Sequence, residues 1–167
     1  NLLFASLLEQ NLLCFLLLLE QIARAKAKIV LVEKHKMGGD CLNTGCIPSK
    51  SLIRSGRIMS YLRRSEEYGI NNGSGDVDFT KVMEQVQAII KMIEPHDSIE
   101  RFTSLGVECV SGEAFIESPY TVRVGDRVIN TRSVIVSTGA RPLLPAPQGL
   151  GEIAYLASGT GWGRGAL

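Results

Sequence analysis

Two cysteines stand five residues apart in a glycine-containing stretch, and this spacing constrains what they can do. Cys41 and Cys46 lie within Gly-Gly-Asp-Cys-Leu-Asn-Thr-Gly-Cys-Ile-Pro-Ser-Lys, which covers residues 38–50. Inside one regular helix their Cα atoms would be roughly 8–9 Å apart, because of the rise and radius of the helix. A disulfide spans at most about 7 Å between Cα atoms. If the two cysteines bond, we therefore expect Cys41 in a loop and Cys46 at the start of a helix.

The residues that flank Cys46 predict that a helix begins there. Gly45 supplies a permissive backbone immediately before it, and Pro48, which has no backbone N–H, is tolerated in a first helical turn. The macrodipole at a helix N-terminus favours a thiolate, and Lys50 adds a positive charge one turn later. This combination indicates a reactive, redox-active thiol pair.

Metal binding fits this cysteine pair less well than redox chemistry does. A zinc site needs four ligands, and the sequence has no second closely spaced cysteine pair and only two histidines. A plant-type iron–sulfur cluster would need a cysteine three residues after Cys46, where Ser49 stands. Two inert buried thiols remain an alternative. Cys14 and Cys109 lack such surroundings and are predicted to be core residues.

Hydrophobic patterning around the cysteines predicts an α/β fold. The β-branched run Lys28–Glu33 is typical of a buried parallel strand. Residues 10–26 before it have a helical pattern, so we expect a βαβ unit whose first strand is not visible in this chain. Further helices are predicted from Cys46 to about Tyr68, after a cap at Asp78, and, following a kink or end at Pro95, up to Gly106.

The second half of the chain is predicted to be rich in short strands. These are Val107–Val110, Ala114–Glu117, Thr121–Val124, Val128–Ile129 and Ser133–Ser137, with a hairpin turn at Gly125-Asp126. The expected architecture is a parallel sheet with helices against it, plus a small antiparallel β-meander around residues 121–128.

The bulk composition excludes some classes of function. The 167 residues include 45% hydrophobic and 21% charged residues with a formal net charge of +1, and nothing in that charge indicates nucleic acid binding. The apolar run Leu12–Leu19 has eight residues, whereas a membrane-spanning helix needs about 20. No positively charged segment precedes it as in a signal peptide. We expect a buried helix there, with a membrane-associated or aberrant segment as the alternative.

The stretch Gly-Gly-x-Cys-Leu-Asn-x-Gly-Cys-Ile-Pro-Ser-Lys resembles the active-site signature of class I pyridine nucleotide–disulfide oxidoreductases. This family includes dihydrolipoamide dehydrogenase, glutathione reductase and mercuric reductase. The resemblance extends from about Ile22 to Ala157, and Asp40, Thr44 and residues 33–37 are closest to the mercuric reductase-like members. It implies a Rossmann-like FAD-binding domain, FAD as cofactor, NAD(P)H as co-substrate and a small-molecule or disulfide substrate. We also expect a cytoplasmic protein that forms homodimers when complete.

The resemblance also implies roles for residues of this chain. Cys46 would be the charge-transfer thiolate against the flavin ring, Cys41 the interchange thiol that faces the substrate, and Lys50 would approach flavin N5. Glu33 would bind the adenosine ribose. The other implied FAD-contacting positions are Lys34, Gly38, Gly39, Ala114 within Gly112–Ala114, Ser137, Thr138 and Gly139. Electrons would pass from NAD(P)H through FAD to the Cys41–Cys46 disulfide, and then to a disulfide or a metal ion such as Hg(II).

The N-terminal residues depart from the family pattern. The family places Gly-x-Gly-x-x-Gly between its first strand and helix, about 20 residues before the ribose-binding acid. That position falls near residues 11–14, but the first glycine of the chain is Gly38. Leu and Phe side chains there would block the close backbone approach that glycine permits, so residues 1–21 are atypical for the family.

Two hypotheses follow for the chain as a whole. In the first, residues 1–167 are a partial FAD-binding domain that is inactive alone, because the family's NAD(P)-binding and dimerisation domains are not among them. In the second, the chain is a flavin-free thiol–disulfide module or a degenerate, non-catalytic remnant. His35 and His96 do not match the family's catalytic base and are expected at the surface, and Gly159–Gly163 is expected to be a loose tail. Because the chain begins with Asn1, we expect it to be part of a longer protein.

Overall fold

A computed structural model describes residues 2–6, 27–139, 143–145, 147–157 and 162 of the chain, with the backbone alone for residues 2–6. These residues form two compact units. The sheet unit comprises residues 1–43 and 93–141, and the helix unit comprises residues 44–92 and 142–167. Each unit is described by itself.

The sheet unit is built on a parallel sheet. Among the described residues its strands are β1 (Leu2–Ser6), β2 (Lys28–Glu33), β3 (Val107–Ser111) and β7 (Ser133–Val136), in the spatial order β3-β2-β1-β7. Leu3 pairs with Ile29 on one side of β1 and with Ser133 on the other. Strands on both sides of β1 therefore run in its direction, as in a Rossmann-like sheet.

An antiparallel meander packs against one face of this sheet. Its strands are β4 (Ala114–Ser118), β5 (Thr121–Val124) and β6 (Arg127–Asn130), and Gly125 turns the chain between β5 and β6 with φ of +56°. Val30 and Val32 of β2 form a core with Val122 of β5 and Ile129 of β6. Val30 and Val32 thus lie under the meander, and Ile29 and Leu31, which alternate with them, are buried on the opposite face, so the run is apolar throughout.

Two helices complete the sheet unit. Helix α1 (Gly39–Asn43) has five residues and follows β2, and helix α4 (Ile99–Ser104) precedes β3. Ser98 caps α4, because its hydroxyl accepts a hydrogen bond from the Arg101 N–H at 3.2 Å. Pro95 lies in a short 3₁₀ helix, Glu94–Asp97, where the preceding helix ends.

The helix unit contains α2 (Cys46–Arg63), a 3₁₀ turn (Ser65–Tyr68) and α3 (Phe79–Ile93). The carboxylate of Asp78 accepts a hydrogen bond from the Lys81 N–H at 3.1 Å and caps α3, as predicted. Met83 and Val86 are the buried residues of this helix. None of the helices within the described residues is both long enough and apolar enough to cross a membrane.

The structure confirms most of the predicted elements and corrects two of them. The expectation that the first strand of the βαβ unit is not visible was wrong, because Leu2–Ser6 forms β1 beside β2. Its five residues carry an ordinary apolar strand composition that the longer leucine-rich run after it obscured. The predicted helix over residues 10–26 and the run Leu12–Leu19 lie outside the described residues. The second correction concerns Cys41, which lies in helix α1 and not in a loop.

Candidate redox site and nucleotide-binding edge

Several predicted site residues meet at one edge of the parallel sheet. Glu33 is the last residue of β2, Gly112–Ala114 follows β3, and Ser137–Gly139 follows β7. Because the strands are parallel, their carboxyl ends lie at the same edge. This edge is where sheets of this class bind nucleotides, and the strand order reverses direction at β1. The structure therefore brings these residues to one edge of the sheet.

Two backbone N–H groups donate hydrogen bonds to Glu33. Its carboxylate oxygen Oε1 accepts a hydrogen bond from the His35 N–H at 2.9 Å, and its backbone carbonyl accepts one from the Gly112 N–H at 3.0 Å. Beside it lies a small, open depression with a cavity volume of about 50 Å³. The residues that line this depression are Leu31, Glu33, His35, Met37, Ile99, Cys109, Val110 and Ser111. A fixed carboxylate at the rim of such a depression suits a ligand that carries hydroxyl donors.

The connection after β3 needs glycine at its first position. Gly112 has φ of +147°, and a Cβ atom there would lie 2.7 Å from Cγ1 of Val124 in the meander. Glu113, the next residue, pairs with Lys34 at 3.3 Å, and both side chains are exposed. Ala114 is half-buried against the valine core. Lys34 and Glu113 thus connect the ends of β2 and β3 at the surface, where such a pair adds little stability.

Cys41 is positioned by the tight turn that precedes α1. Gly38 and Gly39 have φ of +80° and +51°, which lets the chain leave β2 and enter the helix within a few residues. The Leu42 N–H donates to the Gly38 carbonyl at 3.2 Å, and the Leu42 side chain is 1% exposed. Asn43 stabilises the turn, because its Nδ2 donates hydrogen bonds to the carbonyls of Met37 and Gly39 at 3.1 and 2.8 Å. These hydrogen bonds fold residues 39–43 into a helical turn, whereas the cysteine spacing predicted a loop.

Cys46 is the first residue of α2, as predicted. The Ser49 N–H donates to the Gly45 carbonyl at 3.1 Å, which begins the helical ladder, and no side chain caps this end of the helix. Pro48 is fully buried in the first turn, and Lys50 is exposed one turn after Cys46. The 18-residue helix thus presents the positive end of its dipole at a half-buried sulfur.

None of the three cysteines that the structure describes forms a disulfide, and all three are half-buried. Within the same residues, no group of three or more metal-ligating side chains is gathered. Cys109 lies in β3 rather than in a closed core, and it lines the depression beside Glu33. Burial raises the pKa of the Cys109 thiol, a hydrogen bond with Thr103 opposes this, and the nearby Glu100 carboxylate raises the pKa further. These surroundings favour the protonated thiol of Cys109.

Two residues of this region were missed in the sequence. Asn43 was included in the motif without a role, although its position at the end of a Gly-Gly turn signals a side chain that can bond to backbone carbonyls. Trp162 was expected in a loose tail, but its indole Nε1–H donates to the Thr44 carbonyl at 2.5 Å. No local pattern could have shown that contact, because 118 residues separate the two partners. The other residues of Gly159–Gly163 lie outside the described part of the chain.

Comparison with protein families identifies the chain's relatives. The family described as "Pyridine nucleotide-disulphide oxidoreductase" matches residues 18–162, which is most of the chain. The chain belongs to this family. The resemblance inferred from the cysteine stretch is thereby confirmed, and so is the Rossmann-like α/β fold with its meander.

Two members of the family share 30% and 38% of the aligned residues with this chain. A mercuric reductase of Staphylococcus aureus is 30% identical over 132 residues, covering 79% of this chain and 24% of the reductase. A dihydrolipoyl dehydrogenase of Mycoplasma pneumoniae is 38% identical over 125 residues, covering 74% of this chain and 27% of the dehydrogenase. The chain therefore spans about a quarter of the length of these two relatives.

A solved structure supports the fold independently of close sequence similarity. The HOCl-induced flavoprotein disulfide reductase RclA of Escherichia coli superposes with a TM-score of 0.75 at 17% identity, covering 100% of this chain and 34% of RclA. At that identity the likeness shows the fold alone. It agrees with the family assignment, which rests on the sequence match.

Proposed function

We propose that residues 1–167 are part of the FAD-binding domain of a disulfide oxidoreductase that carries electrons through Cys41 and Cys46. The complete enzyme would take two electrons from NAD(P)H and deliver them to a disulfide or to a metal ion such as Hg(II). The observation that carries this proposal is the position of Cys46 at the uncapped start of α2, within the family's cysteine signature. Among its relatives, the name mercuric reductase points to a metal-ion acceptor and the name dihydrolipoyl dehydrogenase to a dithiol substrate.

The two cysteines would have different tasks. The start of an α-helix favours an anionic sulfur, which suits Cys46 for the electron-accepting position beside a flavin. Cys41, in the short helix α1, would be the thiol that attacks a disulfide substrate or binds a metal ion. Lys50 would add a positive charge one turn beyond Cys46. Reduction of the Cys41–Cys46 disulfide then consumes two electrons and two protons and leaves two thiols.

The sheet edge fits the adenosine part of FAD. Glu33 offers a fixed carboxylate for two ribose hydroxyls beside a small, open depression, and Gly112–Ala114 offers backbone groups at the same sheet edge. Lys34, Gly38, Gly39, Ser137, Thr138 and Gly139 would be the further contact residues. Bound FAD would accept a hydride from NAD(P)H and supply electrons to the cysteine pair.

The residues after β1 do not fit the pyrophosphate part of FAD. Because β1 ends at Ser6, the phosphate-binding turn of a βαβ unit would begin at Leu7, several residues earlier than the sequence pattern suggested. No glycine occurs between Ser6 and Gly38. This observation favours the second candidate function, a flavin-free thiol–disulfide module or a non-catalytic remnant. The cytoplasmic location and the homodimer expected from the resemblance stay predictions.

The test is the visible absorption spectrum of the purified chain after incubation with FAD and desalting. We expect a retained flavin band in the wild type, and a long-wavelength shoulder on mild reduction that is lost in Cys46→Ser. The Ser60→Ala variant is the matched control, since it changes an exposed residue of the same helix and should keep both signals. A colourless wild-type protein whose Cys41 and Cys46 still titrate as a redox pair would replace the flavoprotein proposal by the flavin-free module. A colourless protein without that titration would identify a remnant.

A further inference from the structure

The sheet unit has a second cavity, which lies between the segment that ends in α1 and the 3₁₀ helix Glu94–Asp97. Its volume is about 220 Å³, which is larger than that of the depression beside Glu33. The described residues that line it all belong to the sheet unit, in segments 36–43 and 94–100. Neither cysteine of the redox pair and no residue proposed to contact FAD is among these lining residues. The proposed function therefore gives this cavity no ligand.

Asp97 is a buried carboxylate in the wall of this cavity. Its exposed fraction is 4%, and within the described part of the chain the carboxylate forms no hydrogen bond and no ion pair. Those same residues include no side-chain oxygen that is both fully buried and without a hydrogen-bond partner, so the Asp97 carboxylate opens into the cavity that it lines. Burial raises the pKa of Asp97, and the positive charges of His96 and Arg101 offset this only in part. The ionised carboxylate is thus desolvated without a donor that compensates for the lost water.

Asn43 adds a second acceptor to the same wall. Its Nδ2 donates both of its hydrogens, to the carbonyls of Met37 and Gly39 at 3.1 and 2.8 Å. These two bonds fix the orientation of the amide. Its oxygen Oδ1 accepts no hydrogen bond from any residue that the structure describes. The half-buried Asn43 side chain can therefore still accept a hydrogen bond from a ligand.

The charged residues around the cavity favour a cation. Glu94 and Glu100 line it and are exposed, and Lys36 is the exposed basic residue of the lining. With Asp97, three negative charges stand against one positive charge, which gives a formal charge of −2 for these four side chains. Ser98 offers no further donor, because its hydroxyl is bonded to the Glu100 carboxylate and lowers the pKa of that group. The cavity thus presents acceptors and negative charge.

We propose that this cavity binds the guanidinium group of a small molecule, with Asp97 as the charged partner and Asn43 Oδ1 as a further acceptor. An alkylguanidinium ion carries one positive charge and five N–H donors in a plane, which suits a wall that contains several acceptors. Met37 and Ile99 supply apolar surface for its alkyl chain. A metal ion fits less well, because the described residues bring no three His, Cys, Asp or Glu side chains together as ligands. The inference goes beyond the proposed redox function and does not depend on it.

The test is a titration of the full chain with methylguanidinium chloride at constant ionic strength, followed by proton–nitrogen correlation NMR. We expect saturable shifts of the Asn43 side-chain amide and of the Asp97 and Ser98 backbone N–H signals. N-methylurea has nearly the same shape and no charge, and it should cause no saturable shift. Asp97→Asn keeps the size of the side chain and removes its charge. We expect it to weaken methylguanidinium binding by about tenfold or more, because a hydrogen bond to a charged group is lost.

Two further variants make the test independent of a single substitution. Asp126→Asn is the matched control, because it removes an exposed carboxylate in the turn between β5 and β6 that is not part of the described lining, and it should keep the wild-type affinity. Glu94→Gln removes an exposed charge from the lining and should weaken binding by only about twofold, since solvent screens that charge.

Each outcome decides for or against the site. Saturable shifts that weaken in Asp97→Asn and persist in Asp126→Asn support it. The site is overturned if the wild type shows no saturable shift, if Asp97→Asn binds as tightly as the wild type, or if N-methylurea binds equally well. If circular dichroism shows that Asp97→Asn does not fold, a Glu94→Gln variant with unchanged affinity overturns the site and a weakened one supports it. None of these results alters FAD retention or the titration of Cys41 and Cys46, so the proposed function is tested separately.

Discussion

The cysteine-bearing stretch and the carboxyl edge of the sheet are built by different means. Several contacts within residues 38–50 are local, such as the Asn43 amide on the Gly39 carbonyl and the Ser49 N–H on the Gly45 carbonyl, and the bond from Trp162 to the Thr44 carbonyl is a long-range exception. The sheet edge is assembled from strands far apart in sequence, since Glu33 and Gly112 are bonded across 79 positions. Local contacts position the thiols, whereas long-range packing positions the residues proposed to bind nucleotide.

This difference explains what changes in sequence each region tolerates. The cysteine stretch depends on residue types with special backbone properties, namely Gly38, Gly39 and Pro48. The sheet edge depends on apolar volume, supplied by the valine core under the meander. Substitutions that reduce buried side-chain volume should therefore destabilise the sheet edge. Substitutions that restrict the backbone conformation should destabilise the cysteine stretch.

The largest effect is expected for Leu31→Ala in the middle of β2. Leu31 is 1% exposed, and removing a buried leucine side chain costs about 2–5 kcal/mol of unfolding free energy. Val128→Ala in β6 is the control, because Val128 is 54% exposed and its loss should change stability by less than about 0.5 kcal/mol. Urea denaturation followed by circular dichroism measures both. Equal stabilities for the two variants would mean that packing on β2 does not hold the edge.

The next effect is expected for Gly38→Ala before α1. Gly38 has φ of +80°, and a Cβ atom there would lie 2.5 Å from Cδ2 of Leu42, a side chain that is itself fully buried. The left-handed conformation alone costs about 1–2 kcal/mol for a residue with a Cβ, so we expect a loss of about 2 kcal/mol or more in urea denaturation. Gly56→Ala in α2 has open space around it and should instead stabilise the chain by about 0.5–1 kcal/mol. A stabilised Gly38→Ala variant would contradict the turn geometry.

A smaller effect is expected for Asp78→Ala at the start of α3. The variant removes the hydrogen bond from the Lys81 N–H to the Asp78 carboxylate, and loss of such a cap costs about 1 kcal/mol. Asp76→Ala is the control, since Asp76 precedes the cap in an exposed loop. Thermal unfolding should show a lower midpoint for Asp78→Ala alone. Equal midpoints would mean that the local signal at Asp78 contributes nothing to the helix.

The same contrast decides how much of the structure could be predicted from the sequence. The start of α2 at Cys46, the cap at Asp78 and the turn at Gly125 were predicted, because each depends on residue types within one or two turns. Helix α1 was missed because the bonds of Asn43 to two backbone carbonyls stabilise a helical turn that spacing alone does not reveal. Strand β1 was missed because its identity depends on pairing with β2 and β7. The contact of Trp162 with Thr44 depends on tertiary structure entirely.

The smallest effects are expected from two carboxyl groups of the sheet unit that titrate in opposite directions. Burial raises the pKa of Asp97 above its ordinary value of 3.8, against the opposing charges of His96 and Arg101. The hydrogen bond from Arg127 lowers the pKa of Glu108 below its ordinary value of 4.5. Asp97 therefore binds its proton more tightly in the folded chain than in the unfolded chain, and Glu108 binds its proton less tightly.

The two shifts give stability contributions of opposite sign. The contribution of Asp97 is present below pH 3.8 and is lost as the pH rises from there through the raised pKa. The contribution of Glu108 is present above pH 4.5 and is lost as the pH falls through the lowered pKa. With rising pH, the stability of the wild type relative to Asp97→Asn should therefore fall, whereas its stability relative to Glu108→Gln should rise. Urea denaturation from pH 3 to pH 7 measures both differences, and a common sign would show that Asp97 is not desolvated by the fold.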